Sequence, residues 1–268
     1  MLKQRILTAL TLLPIAVAVI LFAPIVWLAA ALLLVVALAA YEWASLSGYA
    51  TRPGRVGYVC LTLLLCGFLY VAGRMTGWER VLWSLAILAA VWWFAILVWL
   101  TFWHAPMSRP VRALCGWLTL IPALFTAVSI ADSRPTLLLW LFAIIWAADI
   151  GAYFAGKGFG RHKLAPEVSP GKTWEGVAGG TLATLLVAVC GWWWLTPHTQ
   201  PMLILICVAT GWLSVIGDLS ESLFKRLAGL KDSGSLIPGH GGVLDRVDSL
   251  TAAAPFFWLG LKLAGWLT

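Results

Sequence analysis

The chain has 268 residues, of which 62% are hydrophobic and only 11% charged, with a formal net charge of +7. A soluble domain carries roughly 25% charged residues, so a water-soluble fold of this size is excluded and lipid must cover most of the surface. The positive balance matches the excess of Lys and Arg on the cytoplasmic side of membrane proteins. No aromatic–basic stretch of the nucleic-acid-binding kind accompanies it, so nucleic acid is not an expected partner.

Runs of about 20 apolar residues, the length of a membrane-crossing helix, fall near Ile6–Phe22, Pro24–Tyr41, Val56–Gly73, Val81–Trp103, Val111–Ala131, Pro135–Phe154, Trp174–Thr196, Met202–Leu219 and Ser249–Leu267. They predict an all-α polytopic integral membrane protein with about nine transmembrane helices, forming one membrane-embedded domain over residues 1–268. The first run follows Lys3 and Arg5 as a signal peptide would, but a second apolar run begins at once, so it reads as an uncleaved first span. Pro24 between the two predicts a tight hairpin. Several of the 18 Trp residues, such as Trp192, Trp193 and Trp194, end apolar runs and read as interfacial anchors. The five cysteines lie inside apolar runs without a Cys-x-x-Cys pair and read as small buried hydrophobes. No internal repeat of the transporter kind is present.

Placing the N-terminus in the cytoplasm leaves Arg74, Arg80, Arg134 and Lys262 on or near the outer side and the other 14 of the 18 basic residues inside. The two long polar stretches, Ala155–Lys172 and Ser220–Asp248, then both face the cytoplasm. So do nine of the 11 acidic residues, all but Glu79 and Asp132. Asp149, Asp218, Asp245 and Asp248 interrupt or border apolar sequence at that leaflet. Ionised carboxylates beside hydrocarbon are costly unless paired or coordinated, and clustered carboxylates provide the hard oxygen ligands of Mg²⁺. A single one has a plainer reading as an ion pair or helix cap, Asp248 as a cap of the last helix.

On the eighth run Asp218, Ser222 and Lys225 are spaced to share a helix face. Lys225, Arg226, Lys231 and Arg246 supply cations for phosphate groups, and Gly239, Gly241 and Gly242 around His240 allow backbone N–H groups near an anion. Gly171-Lys172-Thr173 is not a P-loop: Pro166 stands where that motif needs Gly, and no strand is expected before it.

The segment Ser222–Asp248 resembles, without a break, the signature of phosphatidate cytidylyltransferases (CDP-diglyceride synthases). The resemblance is carried by Ser222, Lys225, Arg226, Lys231, Asp232, Gly234, Pro238, His240, Gly241, Gly242, Asp245, Arg246 and Asp248, and Ser169–Gly176 (SPGKTWEG) is also similar to the family. It implies cytidylyl transfer from CTP to phosphatidic acid in a bacterial inner membrane, with the active site facing the cytoplasm. It implies catalytic roles for Asp218, Lys225, Arg226, Lys231, Asp232, His240, Asp245, Arg246 and Asp248, with Ser222, Lys172, Thr173, Gly241 and Gly242 binding substrate. Asp218 and Asp245 are the first candidates for Mg²⁺ ligands, Asp149 and Asp248 the next, with room for a second cation. His240 is expected to protonate the leaving group or donate a hydrogen bond. The sequence leaves oligomeric state open, a homodimer included. Two rivals remain: an ion-coupled carrier with the acids as its relay, and a kinase acting on a polyprenol.

Overall fold

The computed structural model describes residues 14–102, 107–195, 201–234, 236 and 241–267. Among them it contains nine helices: α1 (residues 14–22), α2 (Ile25–Leu46), α3 (Arg52–Thr76), α4 (Trp78–Phe102), α5 (Arg109–Ser133), α6 (Pro135–Phe159), α7 (Trp174–Leu195), α8 (Met202–Leu227) and α9 (Leu244–Leu263). Between α6 and α7 lies an antiparallel hairpin, β1 (Lys163–Ala165) and β2 (Ser169–Thr173). The protein is thus an all-α, multi-pass membrane protein, and α2 to α8 are each long and apolar enough to cross a bilayer. The part of the first apolar run before residue 14 lies outside the described residues.

Helix α9 is less apolar, with Asp245, Arg246, Asp248 and Lys262 along it, because its neighbours are helices and not lipid. Ala252, Ala253, Ala254, Phe257 and Leu261 on it are fully buried, and it packs against α2, α4, α5, α6 and α8. Outward-facing Leu64, Phe68, Phe94 and Phe154 are exposed where lipid would cover them. At the end of the bundle away from Asp245, Lys262 Nζ lies 3.1 Å from Glu79 Oε1, so the last turn of α9 meets the first turn of α4.

Helices α6 and α7 approach through glycine. A Cβ on Gly151 would sit 2.6 Å from the Gly179 carbonyl oxygen, and one on Gly180 would sit 2.7 Å from that of Ala148. Small residues at such crossings let backbones close up where no hydrophobic force favours association over lipid. This contact fixes Asp149 and the hairpin against α7.

Three helices run past their apolar stretches at the end of the bundle opposite the Lys262–Glu79 ion pair. Helix α2 continues beyond Tyr41 to Leu46, α6 beyond Phe154 to Phe159, and α8 beyond Leu219 to Leu227. Hydropathy marks where lipid ends, whereas a helix ends where its backbone is capped. In α8 the cap is Gly229 in the left-handed region (φ 69°), with Leu230 N–H donating to Lys225 O at 2.8 Å and Gly229 N–H to Arg226 O at 3.0 Å. Lys225 and Arg226 therefore stand on the last turn of α8. The hairpin is a second departure: Gly171-Lys172-Thr173 runs extended within β2. Strands of three and five residues carrying Pro170 and basic groups show too little alternation to register as such.

Candidate active site

Helices α8 and α9 cross where Gly217 lacks a side chain. A Cβ there would meet the Asp248 carbonyl oxygen at 2.5 Å, so the close approach sets Asp218 beside the first turns of α9. Asp218, Glu221, Ser222 and Lys225 occupy one face of α8 at positions i, i+3, i+4 and i+7. Lys225 Nζ lies 2.7 Å from Asp245 Oδ1 and 3.3 Å from Glu221 Oε1. From the hairpin, Lys172 Nζ reaches Asp218 Oδ2 at 2.8 Å, and Ser222 Oγ donates weakly to Asp218 Oδ1 at 3.4 Å. Asp245 Oδ2 accepts from Ser233 N–H (3.1 Å), Ser233 Oγ–H (2.9 Å) and Gly242 N–H (2.8 Å). Asp248 Oδ1 accepts from Ser249 N–H at 2.7 Å.

Asp248 interacts electrostatically with Asp218, Glu221 and Lys225, and Asp149 with Asp218, Lys172 and Arg246. Five carboxylates (Asp149, Asp218, Glu221, Asp245 and Asp248) thus share one region with three cations (Lys172, Lys225 and Arg246). Glu221 is only 2% exposed, and the groups against it are the Lys225 ammonium at 3.3 Å and the carboxyl group of Asp248. Buried charge without full compensation is expensive, and the hard oxygen donors present are of the kind Mg²⁺ takes, though among the described residues no three acids converge closely enough to hold a metal by themselves.

Other expected residues have different surroundings. Arg226 donates from Nε to Val168 O (3.3 Å) and from Nη1 to Leu230 O (3.4 Å), tying the hairpin turn to the end of α8. Lys231 and Asp232 are exposed on the loop that follows. Thr173 is buried and its hydroxyl accepts from Gly176 N–H at 3.1 Å, so it caps α7. Gly241 has φ 79°, a backbone that only glycine adopts freely. The N–H of Gly242, expected to approach a substrate anion, meets the carboxylate of Asp245 instead. His240 and Pro238 lie outside the described residues.

Three participants are not among the residues the sequence singles out: Glu221, Ser233 and Glu42. Glu42 projects from α2 and is 3% exposed. Its signal was an acidic residue inside the apolar stretch AAYEWASL, one position beyond the end assigned to that run.

A bundle of membrane-crossing helices that gathers carboxylates, ammonium groups and a guanidinium at one end defines a membrane-embedded enzyme that handles phosphate groups. The chain belongs to the Cytidylyltransferase family, which it matches over residues 3–264. It is 42% identical to the phosphatidate cytidylyltransferase of Pseudomonas aeruginosa, with 99% of each chain covered. It is 40% identical to that of Haemophilus influenzae, with 96% of this chain and 97% of the relative covered. A Bacillus subtilis protein of the same name is 44% identical over 48% of each chain.

Proposed function

We propose that the protein transfers the cytidylyl group of CTP to phosphatidate, giving CDP-diacylglycerol and pyrophosphate for phospholipid synthesis. One observation carries the reading: the segment Ser222–Asp248, which holds the sequence signature, is the segment that builds the carboxylate–ammonium cluster, in a chain similar over nearly its whole length to two proteins so named.

In the reaction a phosphate oxygen of the lipid attacks the α-phosphorus of CTP. The bond from that phosphorus to the bridging oxygen breaks, and pyrophosphate leaves with the electron pair. The protein's part is positioning and charge stabilisation. Lys172, Lys225 and Arg246 exchange their carboxylate partners, in whole or in part, for phosphate oxygens of the substrates. Arg226 holds the hairpin that carries Lys172. Lys231, exposed beside the site, meets CTP from the cytoplasm, and Ser222 keeps Asp218 oriented.

Asp218 and Asp245 would hold Mg²⁺, with Asp149 and Asp248 nearby as the residues a second cation would use. Mg²⁺ takes one or two carboxylates and completes its shell with phosphates and water. The fit therefore does not require three converging acids, and among the described residues no group of three that could hold a metal is found. When bound, the cation neutralises triphosphate charge and polarises the α-phosphoryl group. Because Asp245 already binds Lys225, Ser233 and Gly242, Lys225 must share or release it at that moment.

The membrane proposed is the bacterial inner membrane, with the site on its cytoplasmic face. The support is the placement of basic residues together with the substrates themselves: phosphatidate stays in the bilayer and CTP is cytosolic. The purified protein, given phosphatidate, Mg²⁺ and CTP labelled at the α- or the γ-phosphate, should move the α-label into lipid and the γ-label into pyrophosphate. Excess EDTA should stop both. A nucleoside diphosphate product would indicate a kinase and overturn the reading, and full turnover in EDTA would remove the metal from it.

A further inference from the structure

Glu42 stands on α2, some 200 residues from the signature segment, yet it lies against that segment's core. Its Oε1 accepts from Val243 N–H at 3.1 Å, and its Oε2 accepts from Leu244 N–H at 2.8 Å and from Ser233 Oγ at 3.0 Å. The first amides of a helix lack intrahelical acceptors. Val243, at the N-cap of α9, has no side-chain oxygen to offer, and no local cap is made. A carboxyl group from another helix takes that place, where the helix dipole favours it. Neighbouring packing holds Glu42 still: the Trp43 ring lies 4.9 Å from that of Phe224 on α8, and Trp43 Nε1–H donates to Arg112 O at 2.8 Å. A Cβ on Gly234 or on Gly242 would run into the Glu42 carboxyl group, so both glycines leave it room.

Two routes lead from Glu42 to Asp245. One is α9 itself, since Asp245 stands on the first turn that Glu42 anchors. The other is Ser233, whose hydroxyl lies 3.0 Å from Glu42 Oε2 and 2.9 Å from Asp245 Oδ2. A hydroxyl has one proton to donate, so the two carboxyl groups divide it. Glu42 thereby offers Ser233 another acceptor at the moment Asp245 takes up a substrate-side partner.

We infer that Glu42 is a positioning residue for Asp245, acting through Ser233 and the first turn of α9. This rests on Asp245 belonging to the site under the function proposed above. The alternative is a cap that serves folding alone, and the two differ in what they change. A cap alone sets how much protein folds and at what temperature it melts. A positioning residue sets the turnover of each folded molecule.

The test uses the full-length protein in phospholipid vesicles or detergent, with turnover expressed per folded molecule. Glu42→Gln keeps the shape but turns one acceptor into a donor facing a donor. It should lower kcat by about 10- to 100-fold, the usual effect of losing a residue that orients a site carboxylate, with KM for CTP changed much less. Ser233→Ala leaves the α9 cap in place and should lower kcat in the same sense by about three- to tenfold, as loss of one hydrogen bond implies. Glu42→Gln combined with Asp245→Asn should be about as slow as Asp245→Asn alone, because both act through one carboxylate. A Glu42→Gln protein that melts lower but turns over normally, or losses that multiply in the double variant, would overturn the inference. If Glu42→Gln does not fold, Ser233→Ala decides: unchanged turnover overturns it. Full turnover in Asp245→Asn would instead remove Asp245 from the site, and this inference with it.

Discussion

Asp218→Asn is expected to cut turnover by about 10²- to 10³-fold, the usual loss when one group stabilising transition-state charge is removed. Asparagine keeps the shape of the side chain and loses the charge. Asp218 lies between Lys172 at 2.8 Å and the carboxylates of Asp149 and Asp248, so the change alters both the cation it would hold and the lysine it orients. Asp245→Asn should fall in the same range, since Asp245 receives Lys225 and three hydrogen bonds. The double variant should lose less than the product of the two, because both residues act in one site. Glu79→Gln is the control: its ion pair with Lys262 sits at the end of the bundle away from Asp245, with the carboxylate 69% exposed, and exposed pairs contribute little. Melting curves come first, because a buried ion pair broken on one side also destabilises. If well-folded Asp218→Asn and Asp245→Asn both keep more than about a tenth of normal turnover, the site lies elsewhere.

Gly242→Ala should damage stability and turnover together. The added methyl group would overlap Ser233 Oγ and the Glu42 carboxyl group in a buried position. Overpacking of this kind costs about 1–3 kcal/mol. The strain falls on the backbone whose N–H holds Asp245 at 2.8 Å, and displacement of a reacting group by about an ångström costs on the order of 10²-fold in rate. Gly241→Ala adds a different penalty: at φ 79° an L-residue costs roughly 1–2 kcal/mol, and its Cβ would sit 2.9 Å from Asp245 Oδ2. Melting temperature and kcat measured on the same preparations separate the two effects. A Gly242→Ala protein with normal melting and turnover would show that the junction before α9 tolerates movement and does not set the site.

Much of this architecture is legible in the sequence because lipid imposes long apolar runs, and α2 to α8 each coincide with one. Helix α9 is legible as a span but not as the centre of the bundle, since hydropathy does not distinguish a lipid-facing helix from one enclosed by others. The mixed charges of the signature are legible in the sequence, but which of them pair is not: Lys225 with Asp245 depends on how α8 crosses α9, and Lys172 with Asp218 on a hairpin too short to leave a pattern. Glu42 is not legible for a physical reason: its partners are two backbone amides and a serine hydroxyl some 200 residues away, which no residue type announces. The glycines of the signature suggest openings for a substrate anion, whereas Gly242 gives its N–H to Asp245 and leaves room for Glu42. Local spacing conveys what a segment carries, and long-range contacts decide what that segment does with it.

The proposed reaction places the lipid phosphate directly on the α-phosphorus of CTP, without a covalent enzyme intermediate. The most direct measurement is the stereochemical course at that phosphorus, using CTP made chiral there by sulfur or oxygen-isotope substitution. A single in-line displacement predicts inversion of configuration in the CDP-diacylglycerol formed. Retention would require two displacements and a nucleophile on the protein, and would rule out direct transfer.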